Sequence, residues 1–176
     1  MGIIGAILGI IIFLFALAWT QGMFGDATSK LDEGRTFELV NRLRANVKES
    51  YFGQSSYGSS ATDTSLVATL MAMGKVPSSA RDGTNIVSPY GGNITIMGRG
   101  RRFNITVADL DDETCVKLGS RFAGGAAAQF GVMNITTSST AVHRTAASVP
   151  EVAGTTSIQS MCAGGASSND LTITFR

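Results

Sequence analysis

The chain begins MGIIGAILGIIIFLFALAW, nineteen residues in which no side chain can ionise. As a helix this run would span about 28 Å, close to the thickness of a bilayer's hydrocarbon core. The first charged side chain is Asp26. A secretory signal peptide carries Lys or Arg before its apolar run and a small-residue cleavage site after it. Here the run starts at residue 1. The expectation is that a basic leader has been removed and that the apolar segment stays in the mature protein. A signal anchor numbered from its own initiator is the alternative. Gly2, Gly5 and Gly9 interrupt the run. Gly5 and Gly9 form a G-x-x-x-G spacing, which lets helices approach closely in an apolar medium, although chance also produces it in apolar runs.

The run leads into DATSKLDEGRTFELVNRLRANVKESYF, residues 26–52. Leu39, Val40, Leu43, Val47 and Tyr51 recur at steps of three and four, which predicts an amphipathic helix. Asp26–Lys30 and Glu38–Arg42 are i,i+4 pairs in the favourable order. Together the two segments predict a spine helix of about fifty residues, about 75 Å long. The first half is apolar all round and the second has one face to bury. Gly22 and Gly25 lie between the halves. Each interior glycine weakens a helix by about 1 kcal/mol relative to alanine, so a kink or a locally extended stretch is expected there.

The remainder, 53–176, is long enough for one modest core. A 44% hydrophobic content excludes wholesale disorder, and 21 glycines imply a turn-rich body. The net charge of +1 implies no general attraction to nucleic acid or acidic lipid. Residues 53–62 read as a Gly/Ser-rich loop. Residues 63–73 read as a short helix with Asp63 as N-cap, Leu66, Leu70 and Met73 on its buried face, and Gly74 just past its end. Pro77 and Pro89 bracket another loop. NITIMG (93–98) and RRFNITVADL (101–110) read as a hairpin, with Phe103, Ile105 and Val107 on one face. Residues 111–125 read as a helix with acidic residues in its first turn, Gly124–Gly125 as its stop, and Cys115, Leu118 and Phe122 on one face. Residues 129–136 and the terminal LTITFR read as strands, and 137–170 mostly as loop, with one element near SIQSMC. The order is that of an α+β fold, a long N-terminal helix spine packed on an antiparallel sheet.

Cys115 and Cys162 allow one intrachain pairing. They form either a disulfide or two buried thiols, and an exported chain with an even cysteine count favours the bridge. The chain-entropy model gives about 4 kcal/mol for a loop of that length. No G-x-S-x-G, H-E-x-x-H, Walker A or C-x-x-C spacing occurs, so the residues imply neither enzyme nor cofactor. His143, the one histidine, sits in a polar stretch and reads as a surface residue. Asn93, Asn104 and Asn134 each begin an N-I-T acceptor pattern, but Ile and Thr are also what strands contain, and the strand reading is preferred. Arg99, Arg101 and Arg102 cluster at the predicted hairpin tip, as a solvated turn or as a contact with a neighbouring subunit or an anionic surface.

This arrangement resembles a mature type IV pilin, more narrowly the type IVb class. Met1 is similar to the apolar first residue of that class. SLVATLMAMGKVPSSA (65–80) resembles the loop after the spine helix in pilins of thin conjugative and enteric type IVb pili. DDETCVKL (111–118) and MCAGG (161–165) resemble the two cysteine neighbourhoods. The resemblance implies a type IV pilin-like fold with a transmembrane and filament-core helix over 1–25, the amphipathic half of the spine over 26–52, and a globular head over 53–176. It implies core packing by Gly2, Gly5, Gly9, Ile12, Phe13 and Trp19, a melted stretch around Gly22 and Gly25, and a disulfide-bounded region from Cys115 to Cys162. A prepilin peptidase would cut the leader and methylate the new terminus at Met1. Subunits would wait in the inner membrane, and pilus assembly machinery would extrude them into a helical homopolymer outside the cell. Adhesion, aggregation or conjugative contact with a host or recipient surface are the implied roles. A minor pilin or pseudopilin, and a membrane-anchored binding protein, are the alternatives. Gly5 departs from the family, most of which has Glu at that position, where it is thought to pair with a neighbour's N-terminal amine.

Overall fold

The computed structural model describes residues 31–123, 129–137, 141–143, 155–163 and 169–176. Met1, Gly2, Gly5, Gly9, Ile12, Phe13, Trp19, Gly22, Gly25 and the Asp26–Lys30 pair lie outside the described residues, as do Gly124 and Gly125. Among the described residues no helix is long and apolar enough to cross a membrane.

Helix α1 is described over 31–50. Its buried stripe is Glu33, Thr36, Val40, Leu43 and Val47, at alternating steps of three and four. Leu39 and Tyr51 flank the stripe and are half-buried. The opposite face is polar and carries the expected Glu38–Arg42 pair at 3.1 Å.

The segment after α1 differs from the sequence expectation. Residues Thr64–Ser65 form a strand, β1, and the following helix, α2, covers only Val67–Ala72. Leu66 occupies the N-cap with no side-chain hydrogen bond, so Asp63 is not the cap. Residues 64 and 65 are drawn into the sheet opposite Gly98 and Met97, and ladder bonds take the place of a helical turn. Gly74 ends α2 as expected, with φ of +68°. The Lys75 N–H donates to the Leu70 carbonyl and the Gly74 N–H to that of Met71, the crossed pair of a Schellman ending. Met73, expected in the core, is exposed. The segment between the prolines is also more ordered than a loop. It holds a 3-10 turn at Ser78–Ala80 and a small hairpin of β2 (Arg81–Asp82) and β3 (Asn85–Val87).

Strands β4 (Asn93–Arg99) and β5 (Arg102–Leu110) form the expected hairpin, with Arg99 opposite Arg102 across a two-residue turn whose Gly100 has φ of +54°. Helix α3 (Asp112–Ala123) follows, its N-terminus capped by the Asp111 carboxylate accepting from the Thr114 N–H at 2.6 Å. Then come β6 (Val132–Thr136), β7 (Ala141–His143), helix α4 (Thr155–Cys162) and β8 (Asn169–Phe175). The described strands run in the order β2-β3-β4-β5-β8-β6-β7, with β1 also pairing β4, and every pairing is antiparallel. The last strand therefore lies inside the sheet, between β5 and β6, and anchors the chain's end. His143, read as a surface residue, lies on β7 opposite Asn134, within the stretch read mostly as loop, and α4 stands where the element near SIQSMC is expected. Asn93, Asn104 and Asn134 all lie on strands, as preferred.

One sheet face is apolar. Ile94 and Ile96, Phe103, Ile105 and Val107, and Leu171, Ile173 and Phe175 are all buried, in one cluster with Val40, Leu43 and Val47 of the spine and Leu118 and Phe122 of α3. A chain of aromatic contacts threads it. Tyr51 meets Tyr57, Tyr57 meets Phe103, Phe103 stacks on Phe175, and Phe175 meets Phe122. Phe122 then meets Phe37, which meets Phe130. The 53–62 loop is thus packed down through Tyr57. That packing needs Gly98: a Cβ there would sit 2.2 Å from the Tyr57 carbonyl oxygen. Gly98→Ala is expected to lift the loop and destabilise the chain by about 1–3 kcal/mol. Urea unfolding of the detergent-solubilised full chain, with protease cleavage at 53–62 as the local readout, checks this.

Candidate assembly surfaces

Cys115 and Cys162 are bonded to each other, with S–S at 2.02 Å and both side chains buried. The second cysteine lies at the end of α4, so the bridge joins two helices. One turn further along α3, a Cβ at Gly119 would meet Ile158 Cγ2 of α4 at 3.0 Å, so the two helices approach closely where the bridge ties them. The region is fixed to the sheet by polar contacts as well. The Thr137 hydroxyl donates to the Met161 carbonyl at 2.9 Å, and the Asn169 amide donates to the Asp112 carboxylate at 2.7 Å.

The spine is clamped from both sides. Toward the disulfide region, Arg121 pairs with the buried Glu33 at 2.8 Å and lies 5.4 Å from the Phe37 ring centre. Arg44 donates to the Phe130 carbonyl and stacks over that ring at 4.9 Å. Toward α2, Asn46 donates to the Lys75 carbonyl, and the Lys75 ammonium pairs with Glu49 at 2.7 Å. Burial lowers the pKa of Arg44. It lowers that of Lys48 as well, assisted by the neighbouring Arg44 charge. Burial raises the Tyr90 pKa, with a smaller opposing hydrogen bond to Thr114 and with Glu33, Asp32 and Asp111 adding negative potential.

Two faces remain open. A groove of about 500 Å³ runs beside the polar side of α1, lined by Arg35, Leu39 and Arg42 on the helix and Pro77, Val87 and Pro89 opposite. The sheet's outer face carries a row of threonines in register, Thr95, Thr106, Thr172 and Thr136, across four strands. Two of them share a hydrogen bond, Thr106 to Thr172 at 2.8 Å.

Arg99, Arg101 and Arg102 come together at the β4–β5 tip, all exposed. Arg99 donates to the Ser60 carbonyl at 3.4 Å and lies 4.0 Å from the Asp63 carboxylate. Arg101 and Arg102 have no ion pair among the described residues. Phe175 lies opposite Phe103, so Arg176 falls at the same end of the sheet. The burial of Glu33 and its pairing with Arg121 are not among the sequence expectations. Glu33's place at the start of the 3-4-3-4 stripe was the available signal.

Comparison with known proteins agrees with this geometry. A family model described as PilS N terminal matches residues 32–176. Among solved structures, the chain matches a type IVb pilin from Salmonella typhi at 18% identity and TM-score 0.54, covering 81% of this chain and 97% of that one. It matches TcpA, a type IV pilin from Vibrio cholerae El Tor biotype, at 15% identity and TM-score 0.54, covering 82% and 98%. At such identities the likeness is one of fold. No curated protein sequence gives a significant match. The spine on an antiparallel sheet, the bridged helices beside it and the family match over most of the chain place the protein in the PilS N-terminal family, a type IVb pilin that serves as a structural subunit of a pilus and not as an enzyme.

Proposed function

We propose that this pilus subunit polymerises through its apolar N-terminal segment, residues 1–25, into a helical surface filament that supports adhesion, aggregation or conjugative mating contacts. The observation that carries this reading is the division of the spine. Over 31–50 the helix buries one narrow stripe against its own head, whereas the sequence ahead of it is an apolar run to Trp19 with no ionisable side chain before Asp26. In a filament such segments bury one another, with Gly2, Gly5 and Gly9 permitting close approach and Ile12, Phe13 and Trp19 supplying bulk. Gly22 and Gly25 provide the place where the spine departs from regular helix as subunits pack. Processing by a prepilin peptidase, methylation at Met1 and an inner-membrane pool before assembly belong to the same reading. Gly5 itself favours a second one, a minor pilin that primes or tips a filament, because most of the family has Glu there and minor pilins are one place where it is sometimes missing. Negative-stain microscopy of sheared surface material, with mass spectrometry of the subunit's N-terminus, tests both. Long homopolymers of this chain beginning at Met1 are expected. Their absence, with the chain found only at low abundance among other subunits, would favour the minor role.

A further inference from the structure

The head is charged oppositely at its two ends, and the topology creates this. Strand β5 runs from Arg102 to Leu110 and β8 runs antiparallel to it, from Asn169 to Phe175. The start of β5 and the end of β8 therefore share one pole, which also receives the end of β4. That pole holds Arg99, Arg101, Arg102 and Arg176. The end of β5 and the start of β8 share the other. It holds Asp109, Asp111, Asp112 and Asp170, all exposed. Seven residues of strand separate Arg102 from Asp109, or about 23 Å.

Local pairing leaves this polarity standing. At the acidic pole Lys117 is taken by Glu113 at 2.6 Å, Arg121 by Glu33 and Arg35 by Asp32 at 3.4 Å. The four aspartates have no ion pair among the described residues. Their contacts are with backbone N–H groups or the Asn169 amide. At the basic pole the nearby carboxylate of Asp63 lies beside Arg99 only. The arginine tip also borders a hollow of about 430 Å³ floored by Ser60, Asn104 and Thr174, wide enough to admit side chains from another molecule.

We infer that the arginine pole docks on the aspartate pole of a second copy of this chain, making a head-to-tail contact between pilin heads. The inference rests on the filament reading above and adds a named contact between heads. Because the two surfaces are different patches on one molecule, the contact is heterologous, and repeating it builds an open polymer instead of a closed dimer. Helix α1 also runs between the poles. Its first described turn, with Asp32 and Glu33, lies near Tyr90 and Asp111, and its far end, with Tyr51, meets the loop beside Phe103. Head-to-tail stacking thus aligns successive spines with one polarity, as a helical filament requires. Exposed unpaired charges are also costly to juxtapose with their own kind, so the contact sets direction and register.

Charge exchange in the full chain tests this. One variant carries Arg101→Glu and Arg102→Glu, a second Asp112→Lys and Asp170→Lys, and a third all four. Asp111 is left intact because it caps α3. The readout is sheared filament per cell, with the amount of disulfide-bonded subunit in whole cells as the folding control. Each double variant is expected to lose filaments by about tenfold or more, and the fourfold variant to regain them. If either double variant assembles normally, or if the fourfold variant does not recover while its subunit stays folded, the docking is overturned. If the unaltered chain makes no filaments under inducing conditions, the filament reading itself fails, which is a distinguishable result.

Discussion

Replacing Cys115 and Cys162 together with serine is expected to cost the subunit about 2–5 kcal/mol, a large part of what a domain of this size has to spare. The bridge closes a 47-residue separation that contains β6, β7 and most of α4. Among the described residues, β6 is also held by its ladder to β8, and Arg44 of the spine donates to the Phe130 carbonyl. Its described apolar anchors are Val132, Ile135, Ile158 and Met161, and the Thr137 hydroxyl ties the end of β6 to α4 through the Met161 carbonyl. Without the covalent link, α4 can leave α3, and a contact as close as that of Gly119 with Ile158 is lost early. The effect should be local first and global later. Hydrogen exchange on the full chain in detergent checks it: amides of α4 and β6 should lose protection before those of β4 and β5. Equal loss across the sheet would mean that the two helices hold together without the bridge. A change below about 1 kcal/mol in urea unfolding would mean that the bridge contributes little to this fold.

Much of the fold was legible because its hydrophobic periods are regular. The steps of three and four in α1, the alternation of Phe103, Ile105 and Val107, and that of Leu171, Ile173 and Phe175 each state one face, and each face is buried. The reading fails where a local rule competes with a tertiary one. Asp63 is a good cap by type, yet sheet pairing of Thr64 and Ser65 moves the helix start three residues on. The alternation of β5 breaks before Leu110, which is buried in phase with neither Val107 nor a simple strand. A register shift intervenes there, and Asp109 takes φ of +59°, a conformation that aspartate tolerates better than most residues. Close beside it, Gly92 lets the backbone of Ala108 approach to a distance that no Cβ could share. Such a bulge has no period to announce it.

The assembly surfaces were legible in part. The arginine cluster is contiguous in sequence, so it could be named before its surroundings were known. Its counterpart could not, because Asp170 joins Asp109 and Asp111 only through the pairing of β5 with β8. Glu33 was missed for a related reason. A glutamate within a charged run reads as solvated, and only the packing of Arg121 and Phe37 around it makes burial tolerable.

Gly5→Glu is expected to abolish filament formation, although Glu is what most of the family carries at that position. No side chain before Asp26 can ionise, so, on the proposal that the mature subunit begins at Met1, a carboxylate introduced at residue 5 has the α-amino group as its nearby complement. A core built to pair the two would hold both charges. In a core built without the carboxylate, the amine need only be neutral. With its pKa near 8, neutralising it at pH 7 costs about 1.4 kcal/mol, far less than burying it charged and unpaired. Under that arrangement a new glutamate is a buried, uncompensated charge, and removing one partner from a buried pair gives the scale of the penalty, about 3–5 kcal/mol. Each filament interface repeats it, and every 1.4 kcal/mol is about tenfold in an association constant. Gly5→Leu separates the electrostatic argument from the steric one. It adds no charge but fills the close approach that Gly5 and Gly9 allow, and it too should stop assembly. Sheared filament yield, measured against subunit retained in the cell, reads both variants. Normal filaments from Gly5→Glu would show that a pairing site for the amine survives in this chain. Normal filaments from Gly5→Leu would show that the helices never come close enough at residue 5 for glycine to matter.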